Sequence, residues 1–304
     1  MTEPNANHQA SDWYFDFVML GALWGASFLF MRMGAAEFGP LVTAWLRVCI
    51  ATLMLFPLMA WQGQLIVFKT HWKMVLGFGV INSALPFALY AYAVMHISTG
   101  LSAILNAAVP LFAALVAWLW LGDRLTRWRI VGLFIGFMGV SLLANHQTSF
   151  HQDANPDASS WGQYTAIAAC LLATVCYAIA GSFNKKYMAD MPALVSATGS
   201  QFGAGLALTL PALFALPQTM PSAQAWGSVL MLGIACTGIA YVLFFRLVNR
   251  AGPAKALTVT FLIPVFALVY GVIFLDETVT LIMVLLGILV ILGTAMSSGL
   301  LPKK

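Results

Sequence analysis

The sequence predicts an all-α polytopic membrane protein, ten transmembrane helices arranged as two inverted five-helix repeats. Composition is the first observation: 61% of the 304 residues are hydrophobic and 8% are charged, where soluble domains carry roughly a quarter charged residues. The second is a set of ten apolar segments, each near the roughly 20 residues that a spanning helix needs. The third is a repeat. The stretch 76–144 returns without gaps 154 residues later as 230–298, so that Gly79 meets Gly233, Pro110 meets Pro264 and Gly139 meets Gly293. Extended backwards, the register lays Pro57 on Pro211 and Arg47 on Gln201.

The spans are expected near 16–34, 40–62, 73–95, 98–121, 127–145, 161–183, 192–216, 225–247, 252–275 and 278–300. Turn chemistry separates them at Gly39-Pro40, Ser98-Thr99-Gly100, Met191-Pro192 and Gly252-Pro253. Residues 1–15 read as a tail with Glu3 and Asp12, without the basic start and apolar core of a cleaved signal. With the N-terminus inside, the inner loops and tail collect 12 of the 14 basic residues, from Lys69 and Lys73 to Lys303 and Lys304. Arg32 is left outside and Arg47 lies within the second span. Cytoplasmic loops favour lysine and arginine, so both termini are expected in the cytoplasm. The net charge of +4 then reads as topology rather than as a surface for nucleic acid. Five is odd, so the second repeat enters the membrane from the other side: 16–145 and 161–300 are inverted units. A polar external linker, 146–160, joins them, and 301–304 is a second cytoplasmic tail. His146 and His151 in the linker admit a metal-pair reading, but with Asp153 and Asp157 they fit a solvated connection. Inverted-repeat carriers bind substrate near the midplane, where the repeats meet.

Small residues let helix backbones approach in lipid, and Gly21/Gly25, Gly132/Gly136 and Gly199/Gly203 are read as packing faces. Arg47 is the costliest residue, since a charge near the centre of a span costs about 2.5–3.5 kcal/mol on insertion scales. It is either a ligand for an anionic group, held in a two-bond fork, or a structural tie to backbone carbonyls or the outer interface. Asn82 and Asn106 each lie four residues before a proline, Pro86 and Pro110. Proline frees a carbonyl one turn earlier, so each amide either satisfies that carbonyl or faces a cavity beside a broken helix. Ser27, Gln201 and Thr237 also lie deep in their segments and need partners. Trp24, Tyr90, Tyr177 and Tyr241 are aromatics that are either core or cavity wall; Tyr177 falls on Trp24 at an offset of 153.

All ten acidic residues lie in tails, in loops or at helix ends, and so do the five histidines. A deep nucleophile and base, or a metal-ligand set, therefore has no residues to build it, and no catalytic residue, metal site or cofactor is expected. Proton coupling through a buried carboxylate is disfavoured for the same reason. A nucleotide loop of Walker type is lacking as well. The four cysteines lie inside apolar runs and read as core residues.

The run Gly238-Ile239-Ala240-Tyr241 with Phe245-Arg246, then Gly252-Pro253-Ala254 and Leu262-Ile263-Pro264-Val265-Phe266-Ala267, resembles the closing half of EamA-type carriers of the drug/metabolite transporter superfamily. The endings 121–126 and 275–280, with Asp123 and Glu277, resemble the acidic motif that closes the fourth and ninth helices there. The 23–28 run and Arg47 also match. The resemblance implies ten helices, an inner-membrane location and movement of small metabolites, often export of amino acids or related compounds. Gln201 against Arg47 makes the two halves unequal in charge. The expected function is a secondary transporter moving a small amino-acid-like or other amphiphilic solute by alternating access. Its cavity would be lined by Trp24, Arg47, Asn82, Tyr90, Asn106, Tyr177, Gln201 and Tyr241, and its partners would be that solute and the lipid bilayer. A facilitative importer or exchanger of another metabolite, or a membrane sensor or assembly subunit, is the alternative.

Overall fold

The computed structural model describes residues 6–154 and 161–298, and their side chains except at 6–12, 147–154 and 253–254. Among the described residues every regular element is a helix, as lipid demands of a chain that must satisfy its own backbone donors and acceptors. Eight helices are long and apolar enough to cross a membrane. The first, Trp13–Trp61, has 49 residues, about 70 Å of helix against a hydrocarbon core of about 30 Å. It bends at Gly39 (φ 75°, ψ 163°), ahead of Pro40. That backbone region is essentially closed to residues with a Cβ. The others are Leu65–Ala93, Thr99–Leu121, Arg127–His146, Trp161–Tyr187, Ala193–Phe214, Ala223–Ala251 and Lys255–Leu275; a further apolar helix, Leu281–Ser297, is shorter.

Several boundaries differ from expectation. Helix α1 starts at Ala6, inside the expected tail, and passes through the expected 39–40 turn as a kink. Helix α2 (Leu65–Gly79) begins eight residues before the expected 73. Between α4 (Thr99–Asn106) and α5 (Val109–Val116) the helix breaks, where Pro110 removes a donor. Helix α6 (Arg127–Ala154) runs into the expected linker. The side chains of His151 and Asp153, all of Asp157, and residues 1–5 and 299–304 lie outside the described residues.

The remaining helices are α3 (Leu85–Ala93), α7 (Trp161–Tyr187), α8 (Ala193–Phe214), α9 (Ala223–Gly233), α10 (Ala240–Ala251), α11 (Pro253–Leu257), α12 (Ile263–Leu275) and α13 (Leu281–Ser297). Two wide π turns interrupt the α2–α3 and α9–α10 rods, at Val80–Ala84 and Ile234–Ile239. They begin 154 residues apart. A π turn widens the helix and pushes side chains off the regular face, and both of these point residues at the same cavity. The rod of α5, which closes in a further π turn at Ala117–Leu121, and α12 end in matched backbone turns: Asp123 N donates to Ala117 O (3.2 Å) and Glu277 N to Gly271 O (3.0 Å). Each turn passes through a left-handed residue, Gly122 (φ 72°) and Asp276 (φ 52°).

The sparse identities of the repeat are close-approach sites. A Cβ on Gly79 would lie 2.3 Å from Ser200 O and 3.0 Å from Ala204 N; one on Gly233 would lie 2.6 Å from Ile50 Cβ and 3.1 Å from Arg47 O. Residues 50 and 204 are again 154 apart, so each glycine touches the matched helix of the other half. Gly139 faces Val290 and Gly293 faces Gly136 N, where α6 packs along α13. Of the glycine pairs, Gly21 and Gly25 meet Leu262 and Phe266, Gly132 and Gly136 meet Ser297 and Leu111, and Gly199 and Gly203 meet Val75 and Leu76. Because the obstacles at Gly79 are backbone atoms, Gly79→Ala should lower stability by about 1–3 kcal/mol, the usual cost of overpacking. Thermal unfolding in detergent reads this. Gly77→Ala, where a Cβ meets nothing within 4 Å, should melt at or slightly above the wild-type temperature.

Candidate functional site

The two π turns and the break in the α4–α5 rod open a cavity of about 310 Å³ at the junction of the halves. Trp24, Arg47, Asn82, Tyr90, Asn106, Tyr177 and Tyr241, seven of the eight residues expected there, line it. Ser27, Phe28, Met31, Phe87, Cys236 and Thr237 complete its deep wall.

Arg47 sits on the second arm of α1 and is 5% exposed. Its Nε donates to Thr237 Oγ1 (2.9 Å), its Nη1 reaches Met31 Sδ (3.7 Å) and its Nη2 reaches Ser27 Oγ (3.5 Å). The guanidinium carbon lies 3.7 Å over the Phe87 ring. Neither structural alternative, a tie to backbone carbonyls or a reach to the interface, is what the side chain does. Guanidinium has five N–H donors, and here three meet neutral acceptors, two of them at long range. Among the described residues the ion pairs are Lys185–Asp123, Arg246–Asp16 and Arg250–Asp16, so Arg47 is a buried cation without a carboxylate.

Gln201 is the correction to the expected lining. It is fully buried and is not part of the cavity wall; it stands behind Tyr241, with Nε2 donating to Ser83 Oγ (3.0 Å) and to Tyr241 OH (3.4 Å). Gln201 and Arg47 are 154 residues apart, and so are their partners Ser83 and Thr237. Each thus donates to the hydroxyl in the π turn of the opposite half. The neutral amide can be sealed in, while the guanidinium remains at the cavity. The Oε1 of Gln201 has no hydrogen-bond partner among the described residues.

The asparagines do not satisfy the carbonyls that proline frees. Asn82 Nδ2 donates to Ser200 Oγ (2.9 Å) and Ser83 Oγ (3.3 Å), with Ser83 and Ser200 2.8 Å apart. Asn106 Oδ1 accepts from Tyr90 OH (3.0 Å). The Tyr90 ring stacks at 6.3 Å with that of Tyr177, and Phe28 meets Tyr90 edge-on at 5.6 Å; Trp24 leans on Phe244 at 5.6 Å. Sequence reading did not single out Phe87. Its signal, an aromatic one residue after Pro86, is common in apolar runs and says nothing of what lies beneath the ring. The four cysteines are free, three of them buried. A second cavity, about 410 Å³, lies at the end of the bundle among Arg32, His96, Asp276 and Glu277 and holds none of the expected residues.

Helices long and apolar enough to cross a membrane, closing a partly polar cavity around a buried cation, fit the class of membrane transporters. The model of the EamA-like transporter family matches residues 13–145 and 164–299, and the chain belongs to that family. It is similar to the uncharacterized transporter YoaV of Bacillus subtilis, 24% identical over 296 residues that cover 94% of this chain and 98% of that protein. The uncharacterized inner membrane transporter YedA of Escherichia coli is 22% identical over 288 residues, 93% of this chain and 90% of that one. A protein of Streptantibioticus cattleyicolor named "Probable terminal-alkyne amino-acid exporter" is 24% identical over 267 residues, 86% and 84% of the two chains. A solved crystal structure of 18% sequence identity has the same fold, with a TM-score of 0.65 over 95% of this chain and 98% of that one.

Ser83, itself fully buried, meets Asn82, Ser200 and Gln201 together. Ser83→Ala should therefore cost about 1–3 kcal/mol, the penalty for leaving buried polar partners unmet, read as a lower melting temperature in detergent.

Proposed function

We propose that the protein is a secondary carrier of a small amphiphilic solute with an anionic group, of amino-acid size, working by alternating access. In this reading the chain crosses the membrane ten times, as units 16–145 and 161–300. The 49-residue helix counts twice and Leu281–Ser297 supplies the last crossing. The separate matches of the family model to 13–145 and 164–299, and the π turns, capped turns and glycine contacts recurring at 154 residues, support two copies of one unit. Their odd number of spans makes them antiparallel, the plan of carriers that rock two halves about a central site.

The observation that carries the substrate class is Arg47, a cation kept at depth with no carboxylate facing it. A desolvated charge is retained at a cost that an arriving anion offsets, and the guanidinium fork suits a carboxylate. Asn82 and Asn106 would orient the solute. The rings of Trp24, Tyr90, Tyr177 and Tyr241 would pack its apolar part, or face a substrate ammonium in place of the missing acid. The relative named "Probable terminal-alkyne amino-acid exporter" agrees with this cargo, and export is the direction we favour. Positive-inside counting sets both termini in the cytoplasm of the inner membrane.

A thermal-shift screen of purified protein tests the reading. Carboxylates and amino acids should raise the melting temperature, by up to about 2.7 kcal/mol of stability at a hundredfold excess over Kd, while polyamines and organic cations should not. Arg47→Met should abolish that shift yet melt at or above the wild-type temperature without ligand, because an unpaired charge has been removed. Stabilisation by cations alone, or full carboxylate binding by Arg47→Met, would overturn the assignment. Reporter fusions at the two termini should both read as cytoplasmic, and opposite sides would refute the inverted ten-span topology.

A further inference from the structure

The two ends of the bundle are built from matched parts but are not in the same state. At the end holding His96, the Glu277 carboxylate reaches across to the start of α4: Oε1 accepts from Thr99 N (2.8 Å), and Oε2 accepts from Thr99 Oγ1 (2.9 Å) and Gly100 N (3.4 Å). Gly271 makes room for it, since a Cβ there would lie 2.4 Å from Glu277 Oε2 and 2.8 Å from Thr99 Oγ1. Behind this contact α4 is buried from Thr99 to Leu105, packed on α12.

The counterparts lie 154 residues away. Asp123 matches Glu277 in position and in its backbone turn, and the start of α11 at Pro253-Ala254 matches Thr99-Gly100. Asp123 binds Lys185 instead (2.8 Å), in a pair half-open to solvent, and the residue ahead of α11 is Gly252, which has no side chain to cap it. The burial differs accordingly: Ala103 is 0% exposed while Leu257, its match, is 57% exposed and lines the mouth of the cavity of Arg47. A second carboxylate agrees. Glu37 accepts from Ser222 N and Oγ (2.6 and 2.7 Å), whereas Asp190, 153 residues on, is exposed and makes no hydrogen bond or ion pair among the described residues.

We propose that Glu277 is a latch that holds its end of the carrier shut, and that Asp123 is the matched latch of the opposite end, made when the carrier turns over. The proposal rests on the alternating-access reading above. Carboxylate at a helix start gains from both the free N–H groups and the helix dipole, so each latch is a strong yet separable contact. The two are unequal for a chemical reason. Pro253 lacks the N–H that Thr99 offers, it has no hydroxyl, and aspartate is one methylene shorter than glutamate, so the Asp123 latch has only the N–H of Ala254 where Glu277 has three donors. The structure is accordingly latched at the Glu277 end and open at the other.

Single cysteines placed by Ala103→Cys and Leu257→Cys, in full-length protein with the four native cysteines replaced, read both ends by their labelling rate with a water-soluble maleimide. With Glu277 intact, Leu257→Cys should label fast and Ala103→Cys slowly. Glu277→Ala should raise the Ala103→Cys rate about tenfold and slow Leu257→Cys, since losing even one charge-assisted hydrogen bond shifts a two-state balance by about that factor. Gly271→Ala, which fills the carboxylate's seat, should do the same, whereas Asp123→Asn, which loosens the latch of the opposite state, should slow Ala103→Cys further. A slow Ala103→Cys rate that neither latch variant alters would overturn the latch while leaving alternation standing. No labelling there in any variant, however long, would sink both. Faster labelling at both positions with a lowered melting temperature would make Glu277 a helix cap only and also overturn the proposal.

Discussion

A guanidinium held at membrane depth by neutral groups alone is the constraint around which this fold is arranged. A charge in hydrocarbon costs several kcal/mol unless hydrogen-bonded or hydrated. Arg47 meets that demand through hydroxyls, a thioether and an aromatic face drawn from α1, α3 and the α9–α10 rod. None of these neutralises it. The helices must therefore leave a polar hollow beside it, and the π turns create that hollow by widening two rods at the depth where Arg47 sits.

The same turns join the halves. Arg47 donates to Thr237 and Gln201 donates to Ser83, two bonds of one pattern that link residues 190 and 118 apart in the chain. Glycines at 79 and 233 let the donor-bearing helices come close enough for those bonds to form. Glutamine at 201, the position matched to Arg47, leaves one charge where exact symmetry would place two mutually repelling ones. The asymmetry gives the cavity one cationic wall and lets the other donor be sealed behind Tyr241.

Energetically the two ends of the bundle are cheaper to rearrange than its middle. Carboxylate caps and the Lys185–Asp123 pair lie at the ends, where water can take over either partner, whereas the middle is bound by hydroxyl–amide contacts and backbone-to-backbone glycine contacts. Glu37 shows the same chemistry, its carboxylate accepting from the Ser222 backbone N–H and hydroxyl.

Much of the fold was legible in one dimension. Hydropathy marks spans because each crossing must be apolar along its whole length, and a gap-free offset of 154 marks a duplicated unit because turns and glycine contacts recur with the unit. Arg47, Asn82, Asn106 and the tyrosines stood out because polar groups in apolar runs need partners. Which partners they have was not legible, because a helix apolar on every side carries no stripe to say which face turns inward. Phe87 under Arg47, Ser83 as the hub for Asn82 and Gln201, and the withdrawal of Gln201 from the wall depend on helix rotation and on π turns that shift register by one residue. Glu277 likewise read as a loop acid until the fold set it against Thr99. The sequence by itself determined the membrane, the repeat and the residues that need partners. Tertiary structure alone decided who those partners are, because rotation and close approach are set by packing across the whole bundle, not by any one segment.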